Sequence, residues 1–176
     1  MVVVESGREF CPVCRFEWAA IGPDEIPGRL LSAVNEMVDI VTHDPSRCRT
    51  RVELGRWSNF EYLAHVRDVL ITIRERVILA VIEDCPTPPM LYRDERVNLG
   101  LYDDETLEEA TKSIEAACTL FLRAHSKLAR ANGERTLVYS AAFGGVRNIN
   151  WACAQALHEC EHHLADVRVN QARLDD

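Results

Sequence analysis

Residues 157–167 read LHECEHHLADV, and the reading of this stretch decides the fold. Its apolar spacing is helical, and helical side chains four positions apart project from one face, one above the other, so His158 and His162 stand in a metal-ligand spacing. Two imidazoles cannot complete a tetrahedral or octahedral shell, so a metal here needs a further ligand from another helix. His65, in the stretch EYLAHVRDV, is the candidate. His163 is turned by about 100° from His162 and is expected at the surface or behind the ligands. Cys153 and Cys160 fall on a different arc of the helix and read as core packing.

Composition limits what these histidines can belong to. The chain has 176 residues, 47% hydrophobic and 27% charged, enough for one domain (1–176) with a single core. Its formal charge of -8 gives no basic patch for nucleic acid and no cationic amphipathic segment for a membrane surface, which leaves a small molecule or a protein as partner. A homodimer is compatible with this surface. No run approaches the roughly 20 apolar residues of a membrane span, and MVVVESGREF lacks the basic start and long apolar centre of a secretory signal, so a cytoplasmic location is expected. The seven cysteines are scattered and odd in number, which favours thiols, ligands or packing over a disulfide framework.

Four helices are predicted. The first covers about 24–42, with Ile26, Leu30, Val34, Met37 and Val41 at helical spacing and Pro27 in the amide-free first turn. The second opens on a capping box, Ser58 with Glu61, and directs His65 at or beside the core. Asp68, one turn later, is a candidate to orient His65. The prolines after Cys85 stop this helix, and 85–103 reads as a long crossover loop, a candidate lid over the metal. A third helix, capped by Asp103 or Asp104, runs to Asn132-Gly133, with His125 read as a buried or rim histidine. Residues 135–143 are β-prone and could pair with 49–54, and the fourth helix covers about 148–172. The fold class is therefore all-α, an up-down-down-up four-helix bundle with a long crossover and at most a short β-hairpin.

Residues 1–23 form an N-terminal extension that carries Cys11-Pro12-Val13-Cys14. This spacing suits a zinc knuckle or a redox pair, but supplies only half a zinc site. The nearest further donors in sequence are His43 and Cys48, which makes Cys11, Cys14, Cys48 and His43 a candidate second metal or thiol site.

The segments WSNFEYLAHVRDV (57–69) and HECEHHLADV (158–167) resemble the DinB/YfiT-like superfamily of metal-binding four-helix bundles, which includes mycothiol-dependent maleylpyruvate isomerases and thiol S-transferases. The N-terminal CPxC is similar to that of an actinobacterial branch. The resemblance implies a divalent ion, zinc or nickel, held by His65, His158 and His162. In the isomerase branch one ligand is a glutamate; three histidines point instead to the hydrolase-like and thiol-transferase branch. Half zinc ribbons commonly place glycine after CPxC, where this chain has Arg15. The implied activity is a metal-dependent S-transfer from mycothiol or bacillithiol, or a hydrolysis. The alternative is a non-catalytic metal-binding bundle acting as a stress or interaction protein. Three neutral imidazoles leave zinc an open position and a positive charge, which lower the pKa of a water or thiol placed there.

Overall fold

The Ser58 hydroxyl accepts a hydrogen bond from the Glu61 amide and the Glu61 carboxylate accepts one from the Ser58 amide, so the capping box read from the sequence starts the second helix. The computed structural model describes residues 10–140 and 145–176. Its long helices are α1 (Ile26–His43), α2 (Asn59–Ile82), α4 (Leu107–Ala124) and α6 (Ile149–Asp175). A short α3 (Arg93–Asn98) lies in the crossover, and α4 continues through a π-helical turn (His125–Ala129) into the single turn of α5 (Arg130–Asn132). Phe60, Leu63 and Leu70 of α2 are fully buried with Leu30 and Met37 of α1, Ile114 and Phe121 of α4, and Leu157 of α6.

Side-chain bridges between helices fix the topology. Arg29, near the start of α1, pairs with Glu161 in the middle of α6, and Glu36 and Arg168 pair about two turns further along both helices, so these two helices run parallel. Arg67 of α2 meets Ser113 near the start of α4, and Arg135 just after α5 bonds Ala80 O near the end of α2, so α2 and α4 are parallel to each other. Asn59 meets Gln171 while His65 meets Glu159, which makes α2 antiparallel to α6. The order is up-down-down-up, with residues 83–106 crossing the bundle.

The crossover is more structured than a loop. Its α3 is tied to α2 through Asp68, whose carboxylate accepts from Arg96 Nη1 (2.7 Å) and Tyr102 OH (2.9 Å). Thr106, not Asp103 or Asp104, caps α4, in a capping box with Glu109. A fixed Thr-x-x-Glu pattern outweighs a nearby aspartate because it satisfies two orphan amides rather than one. β1 (Thr136–Ser140) pairs antiparallel with β2 (Gly145–Asn148) and not with 49–54. Adjacent segments pair at lower closure cost than distant ones. Of the expected strand 135–143, residues 141–143 lie outside the described residues, as do 1–9 of the expected extension. All seven cysteines are free. Among the described residues no helix is long and apolar enough to cross a membrane.

Candidate metal centre

The middle of α6 presents four donors in one turn and a bit: His158, Glu159, His162 and His163. They diverge into two sets. His65 of α2 joins Glu159 and His163, and the donor atoms of these three lie within 4.8 Å of one another. His158 and His162 turn the other way and join Cys11 and Cys14, again with all four donor atoms within 4.8 Å. The three histidines expected to meet around one ion are therefore shared between two neighbouring sets. Cys48 and His43 join neither: Cys48 is buried with its thiol donating to Pro45 O at 3.3 Å, and His43 is exposed at the end of α1.

The first set is buried at the centre of the bundle. His65 Nε2 lies 3.4 Å from Glu159 Oε2, and His163 Nε2 lies 3.3 Å from the same oxygen. The latter approach lacks hydrogen-bond geometry, and both His163 Nε2 and His65 Nδ1 are buried without a partner. A buried unpaired ring nitrogen is costly, so His163 Nε2 beside two other donors suits a cation ligand. Trp57 packs edge-on against His65 at 5.1 Å between centroids, and Tyr62 stacks on His163 at 5.1 Å. His163 is thus buried rather than at the surface; its 100° offset from His162 turns it toward α2.

Fixed partners aim these donors. His163 Nδ1 is 3.0 Å from Asp166 Oδ2, and Asp166 is in turn paired with Arg56 at 3.0 Å. This carboxylate–imidazole arrangement sets the tautomer and leaves Nε2 free toward Glu159. Asp68, expected in that role for His65, instead spends its carboxylate on Arg67, Arg96 and Tyr102. On the other side Trp18 Nε1 donates to Gln155 Oε1 (2.7 Å), and Gln155 Nε2 donates to Glu159 Oε1 (2.6 Å).

The electrostatics call for positive charge. Burial alone would raise the Glu159 pKa, yet the imidazoles of His158, His163 and His65 crowded around it hold it well below the usual carboxylate range. Burial works against protonated His163, but Asp166 and Glu159 outweigh it and raise its pKa to about 9. Burial lowers the pKa of His65. Without a cation the set must carry a proton on an imidazole; a divalent ion can take that place.

A cavity of about 520 Å³ opens onto this set. His65 and Glu159 line it, facing Ile73 and Arg76 of α2, Tyr139 of β1, and the crossover from Met90 to Glu95. Arg76 is buried, donates to Pro89 O at 2.7 Å, and leaves its Nε unpartnered. Arg93 lines this cavity and also a second one of about 470 Å³ on the far side of Glu159, walled by Cys11, Trp18, His158 and His162. Arg76 went unremarked in the sequence because it sits within an ordinary charged helix run, RER. Glu159 lies off the His158/His162 face of α6, which turns it toward His65.

Residues 24–167 match the family model of the DinB superfamily. A solved structure, YfiT from Bacillus subtilis, described as a probable metal-dependent hydrolase with an unusual four-helix bundle topology, is similar at a TM-score of 0.70 and 18% identity, covering 96% of this chain and 92% of that one. No functionally curated protein matches the sequence.

Proposed function

Because this chain belongs to the DinB superfamily, and because three buried donors converge beside a cavity that His65 and Glu159 line, we propose that it is a divalent-metal-dependent enzyme with His65, Glu159 and His163 as ligands. The observation that carries this reading is the convergence of the three donors within 4.8 Å of one another, with His65 and Glu159 on the wall of the cavity of about 520 Å³. Two imidazoles and one carboxylate are a recurrent catalytic zinc set, which makes zinc the first choice and nickel the second. When bound, the ion supplies Lewis acidity that lowers the pKa of a water or thiol reaching it. The similarity to YfiT supports hydrolysis, and the resemblance of the two histidine segments supports a low-molecular-weight thiol such as mycothiol or bacillithiol as nucleophile.

The chain's own residues do the rest. Trp18 and Gln155 hold the Glu159 carboxylate by one oxygen, leaving Oε2 toward His65 and His163. Asp166 keeps His163 Nε2 unprotonated toward the ion once its proton is displaced. Arg76 and Arg93 set two guanidinium groups into a wall that also carries Asp94, Glu95 and apolar side chains, which offers contacts of both signs to a polar small molecule. The crossover segment from Met90 to Glu95 walls the reactants from water.

Metal analysis of the purified protein and of two variants tests the assignment. His65→Ala and Glu159→Ala each lose the ion of this centre, whereas a centre of His65, His158 and His162 predicts that Glu159→Ala keeps it. Activity is read by conjugation of mycothiol or bacillithiol to monobromobimane and by hydrolysis of a panel of p-nitrophenyl esters. No acceleration by metal-loaded over chelator-stripped protein in either assay refutes the enzymatic reading. A second reading rests on Glu159, since the isomerase branch uses a glutamate as one ligand. It predicts thiol-dependent isomerisation of maleylpyruvate with no net consumption of thiol.

A further inference from the structure

The hairpin before α1 lies outside the family match, which begins at residue 24, so its chemistry is not part of the shared fold. Phe10 and Glu17 pair across it in an isolated antiparallel bridge, and Cys11 and Cys14 sit in the turn between them. The turn closes through Arg15 N to Cys11 O (2.9 Å) and Cys11 N to Phe16 O (2.8 Å). Arg15 takes φ +63°, the left-handed conformation that glycine usually provides after a CPxC. Its guanidinium lies 4.5 Å over the Phe10 ring, which helps hold it there. The knuckle backbone is thus formed without the glycine.

From α6 this turn meets His158 and His162, whose rings are 5.1 Å apart. His162 Nδ1 is 4.0 Å from Cys11 Sγ, and its other nitrogen lies 3.9 Å from Asp166 Oδ2. His158 is 6% exposed, boxed by Phe16 and Trp18 at 5.2 and 5.0 Å, and neither of its ring nitrogens has a hydrogen-bond partner. A buried imidazole with two unpaired nitrogens beside two thiols needs a further partner.

We infer that Cys11, Cys14, His158 and His162 form a second metal site, a closed Cys2His2 zinc site that pins the N-terminal hairpin onto α6. The spacing, two residues between the cysteines and three between the histidines, is that of structural zinc. Bonds of about 2.3 Å to sulfur and about 2.0–2.1 Å to nitrogen give tetrahedral edges of about 3.3–3.8 Å. The observed separations, all within 4.8 Å, close onto that with small shifts. Two thiolates neutralise the ion and four donors fill its shell, so this site holds structure and offers no open position. It walls the cavity of about 470 Å³ and abuts Glu159, placing a rigid clamp beside the first centre.

The inference does not depend on the proposed enzymatic reading. X-ray absorption at the zinc edge of the wild-type protein shows sulfur scatterers at about 2.3 Å, and Co2+ substitution gives a thiolate charge-transfer band. The C11S/C14S double variant loses one equivalent of zinc and the charge-transfer band, but retains the equivalent that His65→Ala removes. An all-nitrogen/oxygen shell in the wild type overturns the inference. So does unchanged stoichiometry in C11S/C14S, or a Cys11–Cys14 disulfide without zinc after purification under reducing conditions. A single equivalent with a sulfur–nitrogen shell upholds it and removes the first centre instead.

Discussion

Asp68→Asn separates two roles for a residue that the sequence places one turn from His65. In the structure its carboxylate accepts from Arg67 Nε at 3.0 Å, Arg96 Nη1 at 2.7 Å and Tyr102 OH at 2.9 Å. Arg96 is more than a third exposed, so solvent screens its share. Arg67 and Tyr102 are the buried partners, and bonds to a charged acceptor are worth about 1.5–3 kcal/mol each. An amide keeps one acceptor oxygen, so it serves one side of this network with a weaker bond and turns an NH2 toward the donors on the other, which leaves a net loss of roughly 2–3 kcal/mol. For a chain of this length each kcal/mol lowers Tm by about 2–4 °C, so the expected fall is about 5–10 °C. Thermal melts by circular dichroism in excess chelator read this loss, and zinc competition titrations of the same protein read the site. Zinc affinity is expected to stay at the wild-type value. If Asp68 instead oriented His65, affinity would fall about 10–100-fold. An unchanged Tm combined with weakened zinc binding refutes the structural assignment.

Asp166→Asn is the complementary change, since Asp166 contacts His163 directly and lies near His162. Zinc affinity at the first centre is expected to fall about 10–100-fold, with wild-type affinity in competition titrations counting against the positioning role. Glu61 gives an acid-stability signature. Burial raises its pKa, but Arg51 and the Ser58 amide outweigh this and hold it below the ordinary carboxylate value of about 4.3. Its contribution is therefore complete above that value and is lost as pH falls through the lower folded pKa. Urea melts of Glu61→Gln and wild type, measured without metal, should differ most near neutral pH and converge in acid; a gap that stays constant contradicts the capping-box ion pair.

The bundle was legible because its signals are local. Ser58 with Glu61, the apolar stripe from Ile26 to Val41, and the prolines after Cys85 each state their outcome within a few residues. The length of the crossover implied parallel α2 and α4, which the Arg67–Ser113 and Arg135–Ala80 contacts bear out. The α3 turn did not announce itself, because it is held by Asp68 and Tyr102 and not by its own periodicity. The site was legible in its elements but not in its pairing. Cys11 and Cys14 find partners almost 150 positions away, and no sequence spacing predicts which face of α6 the hairpin will cover.

The pairing has a physical cause in α6 itself. The pairs 158/162 and 159/163 are offset by one residue, hence by about 100°, so only one of them can face α2. Rotating the helix to bring His158 and His162 toward His65 would turn Glu159 and His163 together away from α2, and so part Glu159 from His65, one of the imidazoles that keep its carboxylate ionised while buried. A buried carboxylate stripped of such partners costs several kcal/mol. The same rotation would withdraw His163 from Tyr62, and His158 from Phe16 and Trp18. The glutamate therefore selects the register: it needs the imidazoles of α2 and α6 around it. His158 and His162, which have no such obligation to α2, are left to the thiols of the hairpin.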